Sequence, residues 1–223
     1  MKIEKKQSII VSLCVMLIMT MTTNVYAQKG FNISVKAAPV LCSVFNKDDL
    51  DNDNYEWKPT VGASFGAGIG YGFTKNTGVA VDVLYALQGQ RYEINNKEFN
   101  QHLNYIKVPL MFTYNIQLIN ILSLTGKAGP QVSFLSKSQL FDDDRNSIKN
   151  NTNDQFRNVT FGGMFSTGVN IKIGNNLFAT GDMRFDGDFT NAEDRKYAFY
   201  PTDRKKSYNI TAGLEFGLKY MLK

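Results

Sequence analysis

A two-residue alternation runs through most of this chain, and the charge it carries falls on only one of the two faces it defines. Successive side chains of a strand point to opposite sides of a sheet, so such alternation marks strands. Ala63, Phe65, Ala67, Ile69, Tyr71 and Phe73 share one face, with Ser64, Gly66, Gly68, Gly70 and Gly72 between them. Val79, Val81, Val83, Tyr85 and Leu87 follow, alternating with Ala80, Asp82, Leu84, Ala86 and Gln88. Only residues 74–78 separate the two runs, which predicts a hairpin.

Six further runs repeat the pattern. The first strand sets Phe31, Ile33, Val35 and Ala37 against Asn32, Ser34 and Lys36. Ile106, Val108, Leu110, Phe112 and Tyr114 alternate with Lys107, Pro109, Met111 and Thr113. Leu122, Leu124, Ala128, Pro130, Val132 and Phe134 alternate with Ser123, Thr125, Lys127, Gln131 and Ser133. Val159, Phe161, Phe165, Val169, Ile171 and Ile173 alternate with Thr160, Ser166, Asn170 and Lys172. Ala179, Met183, Phe185 and Phe189 alternate with Thr180, Asp182, Arg184 and Asp186. The last run sets Tyr208, Ile210, Ala212, Leu214, Phe216, Leu218 and Tyr220 against Asn209, Thr211, Glu215 and Lys219.

One face is nearly free of charge. The other carries Lys36, Lys107, Lys127, Lys172, Arg184 and Lys219 together with Asp82, Asp182, Asp186, Asp188 and Glu215. In a soluble barrel the charges would face water. In a membrane barrel the polarity inverts, because a Lys or Arg at the lipid midplane costs about 2–4 kcal/mol. Eight strands of about ten residues suffice for a tilted crossing. Their connections alternate between short (74–78, 115–120, 174–176) and long (43–61, 91–101, 136–158, 190–206). A soluble sandwich has no reason to sort its loops this way. The fold class expected is therefore all-β, an eight-stranded antiparallel up-and-down transmembrane β-barrel. Aromatics near strand ends, among them Tyr71, Phe73, Tyr114, Phe134, Phe189, Tyr208 and Tyr220, suit interfacial girdles.

The chain begins with an export pattern. Lys2, Lys5 and Lys6 precede an apolar run from Ile9 to Met21, and Val25-Tyr26-Ala27 supplies a cleavage site. Residues 1–27 are expected to be a cleaved signal peptide and residues 28–223 the outer-membrane barrel. The apolar run is too short for a spanning helix, and Leu13 before Cys14 argues against lipidation. The net charge of +5 falls to +3 without the +2 carried by residues 1–27 (three Lys, one Glu), too mild and scattered for nucleic acid. Cys42 is the only cysteine after the signal, so no intrachain disulfide is expected.

Catalytic and metal chemistry find little support. His102 is the only histidine, and Leu103 and Asn104 follow it, so the pattern of lipid-modifying barrels that pair His with Ser is absent. It is read as a loop histidine in solvent. Asp48, Asp49, Asp51, Asp53 and Glu56 lack the spacing of a calcium loop and are read, like Asp142, Asp143 and Asp144, as solvated acidic loops. Arg204, Lys205 and Lys206 are read as a solvated strand entrance, with contact to lipopolysaccharide phosphates as the sharper alternative. No catalytic, cofactor-binding or metal residue is assigned.

Leu103-Asn104-Tyr105-Ile106-Lys107-Val108-Pro109-Leu110 resembles the mid-chain strand of the PorT-like outer-membrane barrel family of Bacteroidota. The glycine-rich Gly126-Lys127-Ala128-Gly129-Pro130 and the closing Gly213-Leu214-Glu215-Phe216-Gly217-Leu218-Lys219-Tyr220 are similar as well. The resemblance spans residues 30–223 and implies an outer-membrane barrel, with a link to protein secretion through its founding member.

The nearly balanced lumen charges suggest a plugged interior with function carried by the external loops. A narrow pore along the glycine row and an accessory role in secretion are the competing readings, and a lipid-modifying enzyme the weakest. The partners expected are outer-membrane lipid and lipopolysaccharide, other envelope or secretion proteins, and no nucleic acid. The barrel is expected to be a monomer.

Overall fold

The computed structural model describes residues 29–51, 55–94, 97–142, 147–149, 151–198 and 200–222. The expected signal segment 1–27 and the loop residues Asp53, Asp143, Asp144, Arg145 and Asn150 lie outside the described residues, and the side chain of Glu56 is not described.

In chain order the elements are β1 (Gly30–Asn46), a one-turn helix α1 (Lys47–Leu50), β2 (Tyr55–Lys58), β3 (Thr60–Gly72), β4 (Thr77–Ile94), β5 (Lys97–Ile119), β6 (Leu122–Asp142), β7 (Ser147–Lys149), a 3-10 turn (Asn153–Gln155), β8 (Val159–Lys172), β9 (Leu177–Asp188) and β10 (Ser207–Met221). Eight of the strands close into a ring, β1-β3-β4-β5-β6-β8-β9-β10, and β10 pairs back onto β1. Every neighbouring pair is antiparallel, from β1–β3 through β9–β10. Closure leaves no open edge, the condition for a sheet to satisfy its backbone in lipid. The expected eight-stranded up-and-down barrel is thus the observed fold.

The alternation reads out as expected. Ile33, Val35, Phe65, Ile69, Val83, Leu110, Phe165, Phe185 and Phe216 stand exposed on the outer wall, Ile69 at 63%. Asp82, Lys107, Ser166, Asp182, Arg184 and Glu215 are buried inside. The aromatics at the short-turn end touch one another: Phe31 and Tyr71 rings are 4.8 Å apart, and Tyr71 and Phe73 5.6 Å.

Three prolines stand in the ring, and each leaves a gap in a ladder because it has no N–H to donate. Pairing of β1 with β10 skips from Ala37–Phe216 to Val40–Gly213 around Pro39. That of β4 with β5 skips from Val81–Leu110 to Leu84–Lys107 around Pro109. That of β5 with β6 skips from Pro109–Gln131 to Phe112–Ala128 around Pro130.

The strands are longer than the sequence predicts at the long-loop end. β1 runs to Asn46 rather than ending before Ser43, and β4 and β5 continue to a hairpin closed by the pairing of Ile94 with Lys97, where residues 91–101 are expected to be loop. β6 extends to Asp142 through the start of the expected loop 136–158, and β7 pairs with it. β2 prolongs the line of β3 along β4, Lys58 opposite Arg91, with Pro59 as the break between them. At 23 residues β5 is more than twice the length needed to cross the apolar layer. The wall therefore projects beyond the membrane as a rigid collar.

Candidate functional site: the barrel lumen and its outer cap

The lumen is filled in successive levels. Its middle is a belt of ion pairs that join different strands. Lys36 Nζ donates to Asp82 Oδ2 at 2.7 Å and lies 3.4 Å from Glu215. Arg184 donates to Glu215 Oε2 at 3.2 Å and to Gln131 Oε1 at 3.3 Å, and lies 3.3 Å from Asp186. Lys107 pairs with Asp186, and Lys127 with Asp182 at 2.8 Å. Arg184, Asp186 and Glu215 side chains are each only 2% exposed. Buried charge of this kind persists only when paired and hydrogen-bonded.

The glycine row of β3 makes room for the belt. A Cβ on Gly68 would collide with the Asp82 carboxylate, and one on Gly66 with the carbonyl of Val83. At Gly68 the space is taken by the plug carboxylate and at Gly66 by the close approach of the β4 backbone, which argues against a passage along the row.

Above the belt the lumen turns apolar. Leu84, Ala86, Val40 and Val44 point inward from β4 and β1, and Leu103 and Tyr105 from β5. Val44, Leu103 and Tyr105 form one cluster, completed by Leu135 of β6 and Phe156 from the loop after the 3-10 turn. The Tyr105 hydroxyl accepts from Asn209 Nδ2 at 3.2 Å, and the same amide donates to Asp188 at 2.6 Å. Cys42 is buried in the same wall, where its thiol donates weakly to Thr60 O at 3.5 Å, consistent with a small filler residue.

A polar cap closes the long-loop end. Gln101 Nε2 donates to Ser138 Oγ at 2.8 Å and to Thr152 Oγ1 at 2.9 Å, while Ser138 and Thr152 bond each other. Asn46 Nδ2 donates to Ser207 Oγ at 2.8 Å, and its carbonyl oxygen Oδ1 caps α1 by accepting from Asp48 N at 2.8 Å.

Two expectations about the loops are corrected here. Arg204 is no solvated strand entrance: its guanidinium donates to Asp49 at 2.7 and 3.0 Å and to Glu193 at 2.8 and 2.9 Å. Burial works against its charge, but the bonds to Glu193 and Asp49 outweigh that and raise its pKa. Asp48 and Asp49 are likewise not simply a solvated acidic loop. Lys205 N donates to Asp48 Oδ2 at 2.6 Å, and its ammonium lies 2.9 Å from Asp48 Oδ1. The backbone bond from Lys205 is the main cause holding the Asp48 carboxyl below its usual range. These pairs tie the loop after β1 to the loop before β10. The sequence shows both charge clusters but gives no sign that they meet, since about 155 residues separate them.

His102 is also displaced from its expected loop. It sits within β5 on the outer face, paired in register with Gly89 and Gln139, its ring 4.7 Å from that of Phe141. Among the described residues no three His, Cys, Asp or Glu side chains converge as a metal site would.

Among solved structures the chain resembles three small outer-membrane proteins. OprG from Pseudomonas aeruginosa is 11% identical with a TM-score of 0.49, covering 88% of this chain and 98% of that one. Neisserial surface protein A is 14% identical with a TM-score of 0.49, covering 87% and 98%. Ail, the attachment invasion locus protein of Yersinia pestis, is 12% identical with a TM-score of 0.43, covering 86% and 99%. A search of curated proteins found no match. Over residues 26–194 the sequence matches the model of the outer membrane protein beta-barrel domain, and the chain belongs to that family of outer-membrane barrels.

Proposed function

We propose that this small outer-membrane barrel is a sealed, non-enzymatic structural or interaction protein whose work is done by the surface of its long-loop end. The observation that carries the reading is the pairing of lumen charges across strands, Lys36 with Asp82, Lys127 with Asp182, Arg184 with Glu215. A conducting pore needs a path of mobile water and one-sided or weakly held charge. Here the cations and carboxylates neutralise one another, and the apolar cluster around Tyr105 stands above them.

The clamp between Arg204, Asp49 and Glu193 supports the same reading, because it holds two loops as one surface rather than as independent tethers. In this reading the short turns face the periplasm, the collar faces outward, and the partners are outer-membrane lipid, lipopolysaccharide and other envelope proteins. The barrel acts as a monomer. Reconstitution in planar bilayers tests it: the sealed barrel leaves the membrane resistive under applied voltage, and a steady large conductance overturns the reading in favour of the pore.

A finer reading follows from the Tyr105-Ile106-Lys107-Val108-Pro109-Leu110 strand, similar to that of PorT-like barrels: an accessory role in protein secretion. Its test is gene deletion. Secreted proteins retained in the periplasm support that role, and unchanged secretion counts against it.

A further inference from the structure

We propose that the outer wall beneath the long-loop end carries a binding site for the lipid A part of a lipopolysaccharide, with its acyl chains in a hollow over β6, β8 and β9 and its phosphates on Arg157 and Lys206. This site rests on the reading of the collar as outward-facing and names the face that meets the lipid.

Pro130, Gly163 and Gly187 stand side by side in register on β6, β8 and β9. The two glycines hold outward positions, next to the buried Met164 and Asp186. Three adjacent places on the wall therefore lack a large side chain. Below them the next outward pair, Phe165 and Phe185, is also in register and exposed. Above them Phe189 and Tyr208 complete an aromatic frame. The hollow measures about 1010 Å³. Pockets for drug-sized molecules run to about 1,000 Å³, so it has room for more than one acyl chain. Asp186, Asp188 and Thr211 also border it, but these residues are buried in the wall. Over Gly187 the space is open: a Cβ there would meet only the Asn209 carbonyl oxygen, at 3.7 Å.

The hollow lies at the right height for the junction of chains and headgroups. Ten residues of β9 lead from Leu177 at the short-turn end up to Gly187. At about 3.3 Å per residue and about 40° of tilt they rise roughly 25 Å, the height of the apolar band. The loops directly above supply charge. Arg157 precedes β8 and Lys206 precedes β10, and both are exposed. Their segments are joined through Ala192, which accepts from Arg157 N and donates to Ser207 O, each at 2.8 Å. Two such spacings set Arg157 and the start of β10 about 10 Å apart. Among the described residues neither Arg157 nor Lys206 takes part in a salt bridge, while Glu193 and Asp49 hold Arg204 and Asp48 holds Lys205. Residues 190–206 carry five cations against three carboxylates, so the loop is net positive. Phosphate bonds to Arg and Lys are of the strong, charge-assisted kind. A headgroup with two phosphates set apart by sugars reaches both cations at once, whereas a phospholipid with one phosphate reaches one.

The test uses the full barrel in a non-ionic detergent, titrated with purified lipid A and, separately, with phosphatidylglycerol and phosphatidylcholine. Native mass spectrometry counts the bound lipid. The expected result is one lipid A per barrel, held at least tenfold more tightly than phosphatidylglycerol. Gly187→Phe, which fills the hollow, weakens it at least tenfold, and so does the double variant Arg157→Gln with Lys206→Gln. Ile69→Phe on the opposite wall and Lys75→Gln in a short turn leave it unchanged. Heat-modified gel migration checks folding, and Gly187→Leu stands in if Gly187→Phe does not fold. Absence of saturable lipid A binding, equal affinity for phosphatidylglycerol, or full affinity in either the filled or the uncharged variant overturns the site. Planar-bilayer conductance of the same proteins separates the two readings. A resistive barrel that binds no lipid A overturns this site alone, and a steady large conductance overturns the sealed barrel instead.

Discussion

Arg184 is the keystone of the ion-pair belt, and its removal gives the most demanding test of the plug. Its guanidinium stands between Glu215 at 3.2 Å and Asp186 at 3.3 Å, all three side chains 2% exposed. Arg184→Met keeps an unbranched apolar stem but deletes the guanidinium and its charge. Breaking a buried pair by removing one partner costs about 3–5 kcal/mol. Asp186 keeps Lys107 and Glu215 keeps Lys36, so the lower end, about 3 kcal/mol, is expected here. At about 1.4 kcal/mol per decade, that is roughly a hundredfold change in the folding equilibrium. Adding Glu215→Gln removes the carboxylate left short of a partner and is expected to restore about half of the loss, since residues in direct contact couple by up to about 3 kcal/mol. Urea unfolding of the barrel in lipid vesicles, followed by far-UV circular dichroism and gel migration, measures all three proteins. A loss under about 1 kcal/mol for Arg184→Met, the range of exposed ion pairs, would refute a tightly packed plug. A double variant no more stable than the single would refute the pairing of Arg184 with Glu215.

Arg204→Ala removes the strut between Asp49 and Glu193 and is expected to make residues 47–51 and 190–206 cleavable by trypsin in the membrane-embedded barrel while the strands stay protected; unchanged cleavage would show that the clamp does not hold them. The Lys205 amide reports on Asp48: its bond lowers the folded carboxyl below the unfolded value of about 3.9, so the contribution is complete above that pH and is lost as pH falls through the lowered value. The Lys205 amide proton shift should titrate with a midpoint under about 3.9, and a midpoint above it would contradict the bond. An epitope inserted at Asn150 should be stained on intact cells and one at Asn175 only after permeabilisation; the opposite pattern would place the barrel upside down.

What the sequence made legible was the membrane-crossing part of each strand. There one face meets lipid and the other meets the charge belt, so polarity alternates sharply, as in Val79 to Gln88 or Thr160 to Ile171. The same alternation identified all the belt residues by name. The signal fails at the collar for two separate reasons. Along Ala38-Pro39-Val40-Leu41-Cys42 both faces are apolar, because the upper lumen is an apolar cluster rather than a charged one, and alternation disappears. Along the hairpin after Arg91 one face holds Tyr92, Ile94 and Phe99, and the polar run Asn95-Asn96-Lys97-Glu98 interrupts the alternation, so the stretch reads as loop although Ile94 still pairs with Lys97. The loop clamp was illegible for a third reason. Arg204 and Asp49 lie at opposite ends of the chain, and only closure of β10 onto β1 brings them together.

The central claim is an inverted barrel, lipid outside and a sealed polar interior, and spin-label accessibility on β8 and β10 tests it most directly. Nitroxides placed singly at Phe161, Phe165, Ile171, Leu214 and Phe216, all on the outer wall, are compared for collisional relaxation by oxygen, which partitions into lipid, and by a water-soluble nickel chelate. The inverted barrel predicts oxygen-dominated relaxation at every one of these positions in vesicles, with exposure to the nickel chelate only for a label at Lys196 in the outer loop. Nickel-dominated relaxation at Phe165 or Phe216 would contradict it.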